Sequence, residues 1–372
     1  MKPVGTPIRG AIALCSCALA LAGCLGDGGG DETSRVEGDT ATVYASTPRH
    51  GASAADASAV IAGARRALDQ TGGRAGGLRI RLKELPATDE EPDHPWDPAL
   101  VSENADRAAD DPSAIAYLGE LDYGASAVSL PITNKAGLLQ VSPGDGLTSL
   151  TERPPGRPRA GPERYYPSGT RSFVRVGPTD LQEADHLLAR AAAAGERERI
   201  ALLFDGDIYG RELAAQILAR ARRDGLESVA SEEYRGQVDE VPDIARRLAE
   251  ARPDAVIYAG IAGPGTGRLL GEIGTQLPTV PLSATSGLLA GERGLALPAG
   301  PARLEAIGPA VSPERMGHDA MKLVLEAVEQ GQRDRRRVIA AARRLAPRVA
   351  DSRLALYRPG ADGRFERVRV VR

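Results

Sequence analysis

The strongest constraint on this chain is a rhythm in which short apolar strands alternate with amphipathic helices, twice over. Thr42–Ala45 reads as a strand. Ala52–Gln70 reads as a helix, with Ala, Val, Ile and Leu on one stripe. Gly72-Gly73 and Gly76-Gly77 stop it. Leu78–Leu85 alternates apolar and charged residues, as a strand does. A Pro- and Asp-rich loop (Pro86–Pro98) precedes helix Ala99–Ala109, strand Ala114–Gly119, helix Gly124–Lys135 and strand Leu138–Val141. Ser142–Pro167 is a long Pro/Gly-rich excursion, and Phe173–Val176 is extended again. Beyond Pro178 the alternation resumes. Helices are expected at Leu181–Ala194, Gly210–Arg223, Val241–Ala251 and Thr266–Thr275, and strands at Ile200–Phe204, Glu227–Glu233, Ala255–Tyr258 and Val280–Ser283. Leu354–Tyr357 and Phe365–Val371 flank the turn Pro359–Gly363 as a strand pair. Two β-α-β series with a crossing between them predict an α/β protein of two doubly wound parallel-sheet lobes. Ligands of such sheets bind beyond the carboxyl ends of the strands, so two facing lobes enclose a cleft.

The N-terminus carries an address. Lys2 and Arg9 give a positive head, an apolar run spans Ala11–Ala22 with only Ser16 inside it, and Leu21-Ala22-Gly23-Cys24 follows. A positive head, an apolar run of about 7–15 residues and small residues before the cut define a secretory signal. The run is short for a permanent span, which needs about 20 apolar residues. The segment resembles the lipobox of bacterial lipoproteins. That resemblance implies cleavage after residue 23, a lipid on Cys24 and anchoring to the cell membrane, facing outward. Cys15 and Cys17 leave with the signal, so the mature chain has no thiol left for a disulfide or metal cluster. Residues 24–40 begin Cys-Leu-Gly-Asp-Gly-Gly-Gly and are expected to be a flexible tether.

The remaining length suffices for two domains. Formal charge is −3, and −5 once Lys2 and Arg9 are gone. A mildly acidic chain is a poor nucleic-acid binder, which wants a basic face. Arg333–Arg337 reads as a solvated helix end or linker. The four histidines (His50, His94, His186, His318) are scattered, and no metal or cofactor motif is found. Gly263-Pro264-Gly265-Thr266-Gly267 lacks the Lys of a phosphate loop and reads as a helix-initiating turn. Asp205 and Asp207 stand two apart on a tight turn, which favours a turn role over acid–base chemistry. With no nucleophile elbow or HExxH, the chain is not expected to be an enzyme.

Four stretches carry a family resemblance: Ala64–Gly73 with Gly77–Ile80; Ala108–Pro112 with Tyr117-Leu118-Gly119, Gly124-Ala125-Ser126, Pro131–Gly137 and Gln140–Pro143; Phe173–Val176 with Asp180-Leu181-Gln182 and Asp205–Gly210; and Met316–Val324. In this order and spacing, over most of Thr40–Gln330, the chain resembles the type I periplasmic substrate-binding proteins of the branched-chain amino-acid receptor group, the receptors of ABC importers. The resemblance implies a type I periplasmic-binding-protein fold with a multi-segment hinge. The first lobe is expected from 41–176 and 300–345, the second from 177–299 and 346–372. It implies capture of a small polar metabolite, amino-acid-like or other, by hinge closure, and delivery to ABC-importer membrane subunits. A ligand-sensing or protein-interaction lipoprotein on the same fold is the alternative.

The site follows from strand ends. Gly124 and Ser126 stand where a strand gives way to a helix, whose N–H groups and dipole favour an anion such as a carboxylate. Ser142, Gly144, Asp145 and Gly146 follow another strand end with further N–H groups. The resemblance implies that Tyr209 packs on the ligand and that Ile261, Thr285 and Ser286 close on it from the second lobe. Several positions depart from the family. Tyr123 and Gly146 stand where amino-acid receptors have small hydroxyl residues. Ala284-Thr285-Ser286-Gly287 lacks the carboxylate that meets an α-ammonium. Ile261 stands in place of an aromatic. An ammonium without a paired charge in a closed cleft is costly. These departures point away from an ordinary α-amino acid. Tyr123 would narrow the pocket or stack on a flatter ligand, and Asp122 or Asp145 could meet a cation. Gly294–Gly308 is shorter than the corresponding family segment, which reduces the cleft floor.

Overall fold

The computed structural model describes residues 34–90, 94–192, 199–263, 265–289 and 303–371. The signal segment, Cys24 and the first part of the tether lie outside the described residues. The first lobe contains β1 (Thr40–Thr47), α1 (Ala54–Gln70), β2 (Arg74–Ala75), β3 (Leu78–Pro86), α2 (Pro98–Ala109), β4 (Ala114–Leu118), α3 (Ser126–Lys135), β5 (Leu139–Ser142) and β6 (Phe173–Arg175). The second contains α4 (Asp180–Ala192), β7 (Arg199–Asp205), α5 (Ile208–Arg223), β8 (Glu227–Tyr234), α6 (Val241–Glu250), β9 (Ala255–Ala259), α7 (Thr266–Gln276), β10 (Leu282–Ala284) and β11 (Leu304–Pro309). The chain then returns to the first lobe as α8 (Pro313–Gly331) and α9 (Arg335–Val349), and ends in the second with β12 (Leu354–Pro359) and β13 (Phe365–Val371).

Among the described residues there are two sheets, ordered β2-β3-β1-β4-β5-β6 and β13-β12-β11-β10-β9-β7-β8. Pairing is parallel except at β2 and at the β11-β12-β13 end. The central strands β4 (AIAYL) and β9 (AVIYA) are buried on both faces, as near-continuous apolar runs in a parallel sheet should be. The two-residue period divides them. Val43, Ala116 and Leu118 face α1, α8 and α9, while Tyr44 and Tyr117 face α2 and α3. In the second sheet Leu202 and Ile257 face α4 and α5, while Leu203 and Tyr258 face α6 and α7. Helix starts follow the expected chemistry. Asp97 caps α2 ahead of Pro98, Ser312 caps α8 ahead of Pro313, and Asp334 caps α9.

Three segments cross between the lobes: after β6, after β11 and after α9. They are bonded side by side, the Asp351 N–H donating to the Val176 carbonyl at 2.8 Å and the Ala310 N–H to that of Arg353 at 2.9 Å. This corrects the expected boundaries. Residues 304–309 pair with β10 and β12 in the second sheet, so the return to the first lobe begins after Pro309 rather than at 300. Helix α9 runs to Val349, so the last crossing falls beyond 346.

Two further expectations are corrected. Residues 34–40 are not tether. The Val36 side chain is buried in the first-lobe core, and its N–H donates to the Arg333 carbonyl at 2.9 Å. Arg335 is not in a solvated linker. It is buried, and its guanidinium donates to the carbonyls of Ala114, Asp111 and Pro112, which pins α9 to the entrance of β4.

The Pro/Gly-rich excursion ties the lobes together. Leu147, Leu150, Tyr165, Tyr166 and Phe173 share one apolar cluster with Leu187 and Leu188 of α4 and with Leu213 and Ile217 of α5. The Ser149 N–H donates to Glu212 at 2.9 Å, and the Thr148 N–H to Asp180 at 3.1 Å. Gly156 lies against α5, where a Cβ would collide with the Ala215 carbonyl.

Candidate functional site

Helix α3 starts at the end of β4, and the Ser142–Leu147 turn follows β5. Opposite them are the start of α5 and the loops after β9 and β10. A cleft of ≈1210 Å³ lies between. Ser53, Asp122 and Tyr123 wall it from the first lobe, and Ile261, Ser286 and Leu289 from the second, with the Pro309–Pro313 crossing and the β12–β13 pair alongside.

The α3 start is already occupied. The Asp145 carboxylate accepts from the N–H groups of Gly124 (3.1 Å), Ser126 (2.9 Å) and Leu147 (3.1 Å). Ser142 Oγ in turn accepts from the Asp145 N–H at 2.8 Å and donates to the Glu120 carbonyl at 2.7 Å. A carboxylate on a helix start is the favoured arrangement of charge and dipole. The protein supplies that carboxylate itself. This corrects the expectation that these N–H groups face a ligand anion.

The first and second lobes meet at Tyr123. Its ring lies 4.5 Å from that of Tyr209, tilted by 34°. Its hydroxyl donates to Glu183 at 3.2 Å and makes a short contact with Ser286 Oγ. The other Glu183 oxygen accepts from the Ser286 N–H at 2.9 Å. Gly146 makes the room, since a Cβ there would come within 2.6 Å of Tyr123 Cε1. The aromatic at 123 and the missing side chain at 146 are thus one adjustment.

Of the residues predicted for the site, Tyr123, Gly144, Ile261 and Ser286 line the cleft. Gly124, Ser126, Ser142, Asp145 and Gly146 are buried behind the first-lobe wall, while Tyr209 and Thr285 are buried behind the second. Among the described residues, the buried Tyr209 O–H and Thr285 Oγ have no polar side-chain partner but each other. Sequence reasoning missed Ser53 and Glu183. Glu183 left a signal, because the buried stripe of α4 reads Asp180, Glu183, Ala184, Leu187, Leu188, Ala191, with two acids at apolar positions. The turn reading of Asp205 holds. Its carboxylate accepts from the N–H groups of Asp207 (3.2 Å) and Ile261 (2.5 Å). Gly265 is left-handed at the N-cap of α7, in the turn that starts the helix.

Burial dominates the titration of this region. It pushes Glu120 and Asp180 up to about 8, and Asp122 and Glu183 up to about 7. Hydrogen bonds oppose the shift at each of them, most visibly Thr148 on Asp180 and Ser286 on Glu183. Between the unfolded values near 4 and these folded values, the native state holds protons that the unfolded chain has released. Stability then falls as pH rises. The contribution is full below about pH 4 and lost above about pH 8. The acids shifted the other way, such as the exposed Asp224 and the half-buried Asp351, are paired with exposed arginines and contribute little. The melting midpoint is therefore expected to be several degrees higher at pH 5.5 than at pH 8.5 by calorimetry. A higher midpoint at pH 8.5 contradicts this account of the buried acids. Gly146→Ser is expected to cost about 1–3 kcal/mol by overpacking the Tyr123 ring. Adding Tyr123→Ser to that variant should cost less than the two single changes summed. Additive losses in chemical denaturation would show that 123 and 146 do not share space.

Comparison with known proteins bears on the fold and the family. The family model for periplasmic binding proteins matches residues 42–302. No curated protein matches the chain in sequence. Among solved structures, a leucine-binding protein from Thermotoga maritima is similar with a TM-score of 0.68 at 15% identity, covering 89% of this chain and 99% of that one. An ABC-transporter substrate-binding protein from Desulfitobacterium hafniense in complex with Leu gives 0.66 at 20% identity, over 88% of this chain and 100% of that one. A solute-binding protein of an ABC transporter from R. palustris in complex with benzoate gives 0.66 at 16%, over 89% and 96%. At these identities the structures speak for the fold, which is the type I arrangement of two lobes. The family is one of binding proteins rather than enzymes. With the family model spanning the first sheet, the first crossing and most of the second sheet, the chain belongs to the periplasmic binding protein family.

Proposed function

We propose that this protein is an extracytoplasmic solute-binding lipoprotein. It holds a small polar metabolite between its lobes and passes it to the membrane subunits of an ABC importer. The observation that carries the reading is the cleft. It is walled by both lobes and lies beside the crossings about which they would turn. Its volume, ≈1210 Å³, lies somewhat above the roughly 300–1,000 Å³ usual for small-molecule pockets, room enough for a small metabolite. Family membership supports the receptor role. The structural relatives named with Leu and with benzoate make amino acids and aromatic acids the first classes to try.

Hinge movement is the proposed mechanism. Opening separates Tyr123 from Glu183 and Ser286. Closing brings Ile261 and Ser286 back over a ligand resting on the Asp122–Tyr123 wall. Tyr209 and Thr285 then act from behind, by fixing Tyr123 and the Ser286 loop. The lipid on Cys24 keeps the receptor at the membrane.

Thermal unfolding of the full chain against a broad metabolite panel tests the reading. A ligand at about 100 times its dissociation constant adds roughly 2.7 kcal/mol. That moves the midpoint by a few degrees. A shift confined to one chemical class is the expected outcome. A panel without effect contradicts the receptor role and favours the sensing or interaction alternative. Metabolic labelling with a radioactive fatty acid should mark the protein in its host, and Cys24→Ala should abolish the mark. Equal labelling of the variant would refute lipidation at Cys24.

A further inference from the structure

Among the described residues, one carboxylate on the cleft wall has no countercharge. Asp122 follows β4, lines the cleft and is only 7% exposed. Its Oδ1 accepts from Ser53 Oγ at 2.5 Å, which fixes the plane of the group. Among the described residues its Oδ2 has no hydrogen-bond partner. The charged groups that act on it are both acids: Asp145, behind the wall, and Asp56 on α1. A carboxylate removed from water beside two of its own sign is costly unless a cation or proton joins it.

Among the described residues, the cations bordering the cleft are engaged elsewhere, Arg364 with Asp362 at 4.0 Å. Arg315 pairs with Asp319 at 2.6 Å and Arg353 with Asp351 at 2.6 Å, both with exposed side chains. Arg367 donates to the Ala310 carbonyl at 2.7 Å. The N–H groups that would seat a ligand carboxylate are taken by Asp145. The wall next to Asp122 is the side chain of Tyr123, an apolar surface for a ligand's carbon skeleton.

Resting on the receptor reading above, we infer that the cleft selects its ligand through a protonated nitrogen. A primary ammonium or guanidinium sits on the free oxygen of Asp122, so the ligand class is a small organic amine rather than a carboxylic acid. The ammonium donates to Oδ2 while Ser53 holds Oδ1, and the adjoining carbon chain lies along Tyr123. The departures from amino-acid receptors become consistent. The carboxylate that would meet an ammonium from the second lobe is missing, and its role passes to the first lobe.

Matched amines and acids decide the matter. Thermal unfolding and calorimetric titration of the full chain would use isoamylamine, benzylamine, putrescine and agmatine beside isovalerate, benzoate and succinate, with leucine as a reference. At least one amine is expected to bind, with its matched acid silent. Asp122→Asn should weaken that amine by about tenfold to a hundredfold, the scale for taking the charge out of a charged hydrogen bond. Preferential binding of an acid or of leucine overturns the inference and leaves the receptor reading standing. So does an amine that binds Asp122→Asn as well as the parent. Should that variant not fold, the amine-to-acid comparison on the unaltered protein decides alone. Silence from all these compounds also overturns the inference, whereas the receptor reading falls only if the broad metabolite panel is silent too.

Discussion

The arrangement of the cleft depends on one interaction, the Asp145 carboxylate seated on the N–H groups at the start of α3. A helix start at the end of a parallel strand is a ready-made anion site. Filling it from within settles the chemistry of everything around it. Asp145 turns inward because Ser142 Oγ holds its N–H and because Gly144 and Gly146 flank it. With no side chain at 146, the Tyr123 ring can lie across to the second lobe and stack on Tyr209. The cleft wall left exposed is then Ser53, Asp122 and the edge of Tyr123, a hydroxyl, an acid and an aromatic.

The lobes are held together by more than their crossings. The excursion after β5 buries apolar side chains against α4 and α5. Alongside this cluster run the polar contacts of Thr148, Ser149 and Tyr123 with Asp180, Glu212 and Glu183. The acids on the second-lobe side lie in a largely apolar setting, and burial raises the pKa of each, which favours the protonated form. That permits hydrogen bonding where bare charges would repel. Any movement of one lobe on the other works against this seam, and a ligand has to supply contacts of comparable strength.

Much of the fold is legible in the sequence because parallel sheets write themselves plainly. Strands buried on both faces are apolar throughout, as in Ala255–Ala259, and the helices between them keep a 3.6-residue stripe. What was lost had physical reasons. Strand β11 carries Glu305, Gly308 and Pro309, so it resembles the Gly/Pro-rich stretch before it, and only its pairing partners make it a strand. Helix α9 opens on Arg335-Arg336-Arg337, and nothing local says that one of these arginines turns inward to three carbonyls. Val36 is buried by tertiary contact alone. At the site, the strand-end glycines and Tyr123 were visible from position. The direction taken by the Asp145 side chain was not, because an Asp in a Gly-rich turn can face in or out with the same local sequence. Glu183 was hidden for the opposite reason, since an acid on an apolar stripe is read as a break in the pattern.

The central claim is that Tyr123 couples the two lobes through its hydroxyl. A double-mutant cycle on the stability of the protein measures this directly, with Tyr123→Phe and Ser286→Ala made singly and together. Contacting residues show coupling energies of about 0.5–3 kcal/mol, whereas independent sites add within about 0.3–0.5 kcal/mol. The account predicts coupling in the first range. Losses that simply add would mean that the hydroxyl does not bridge the lobes, and the cleft would have to be explained without it.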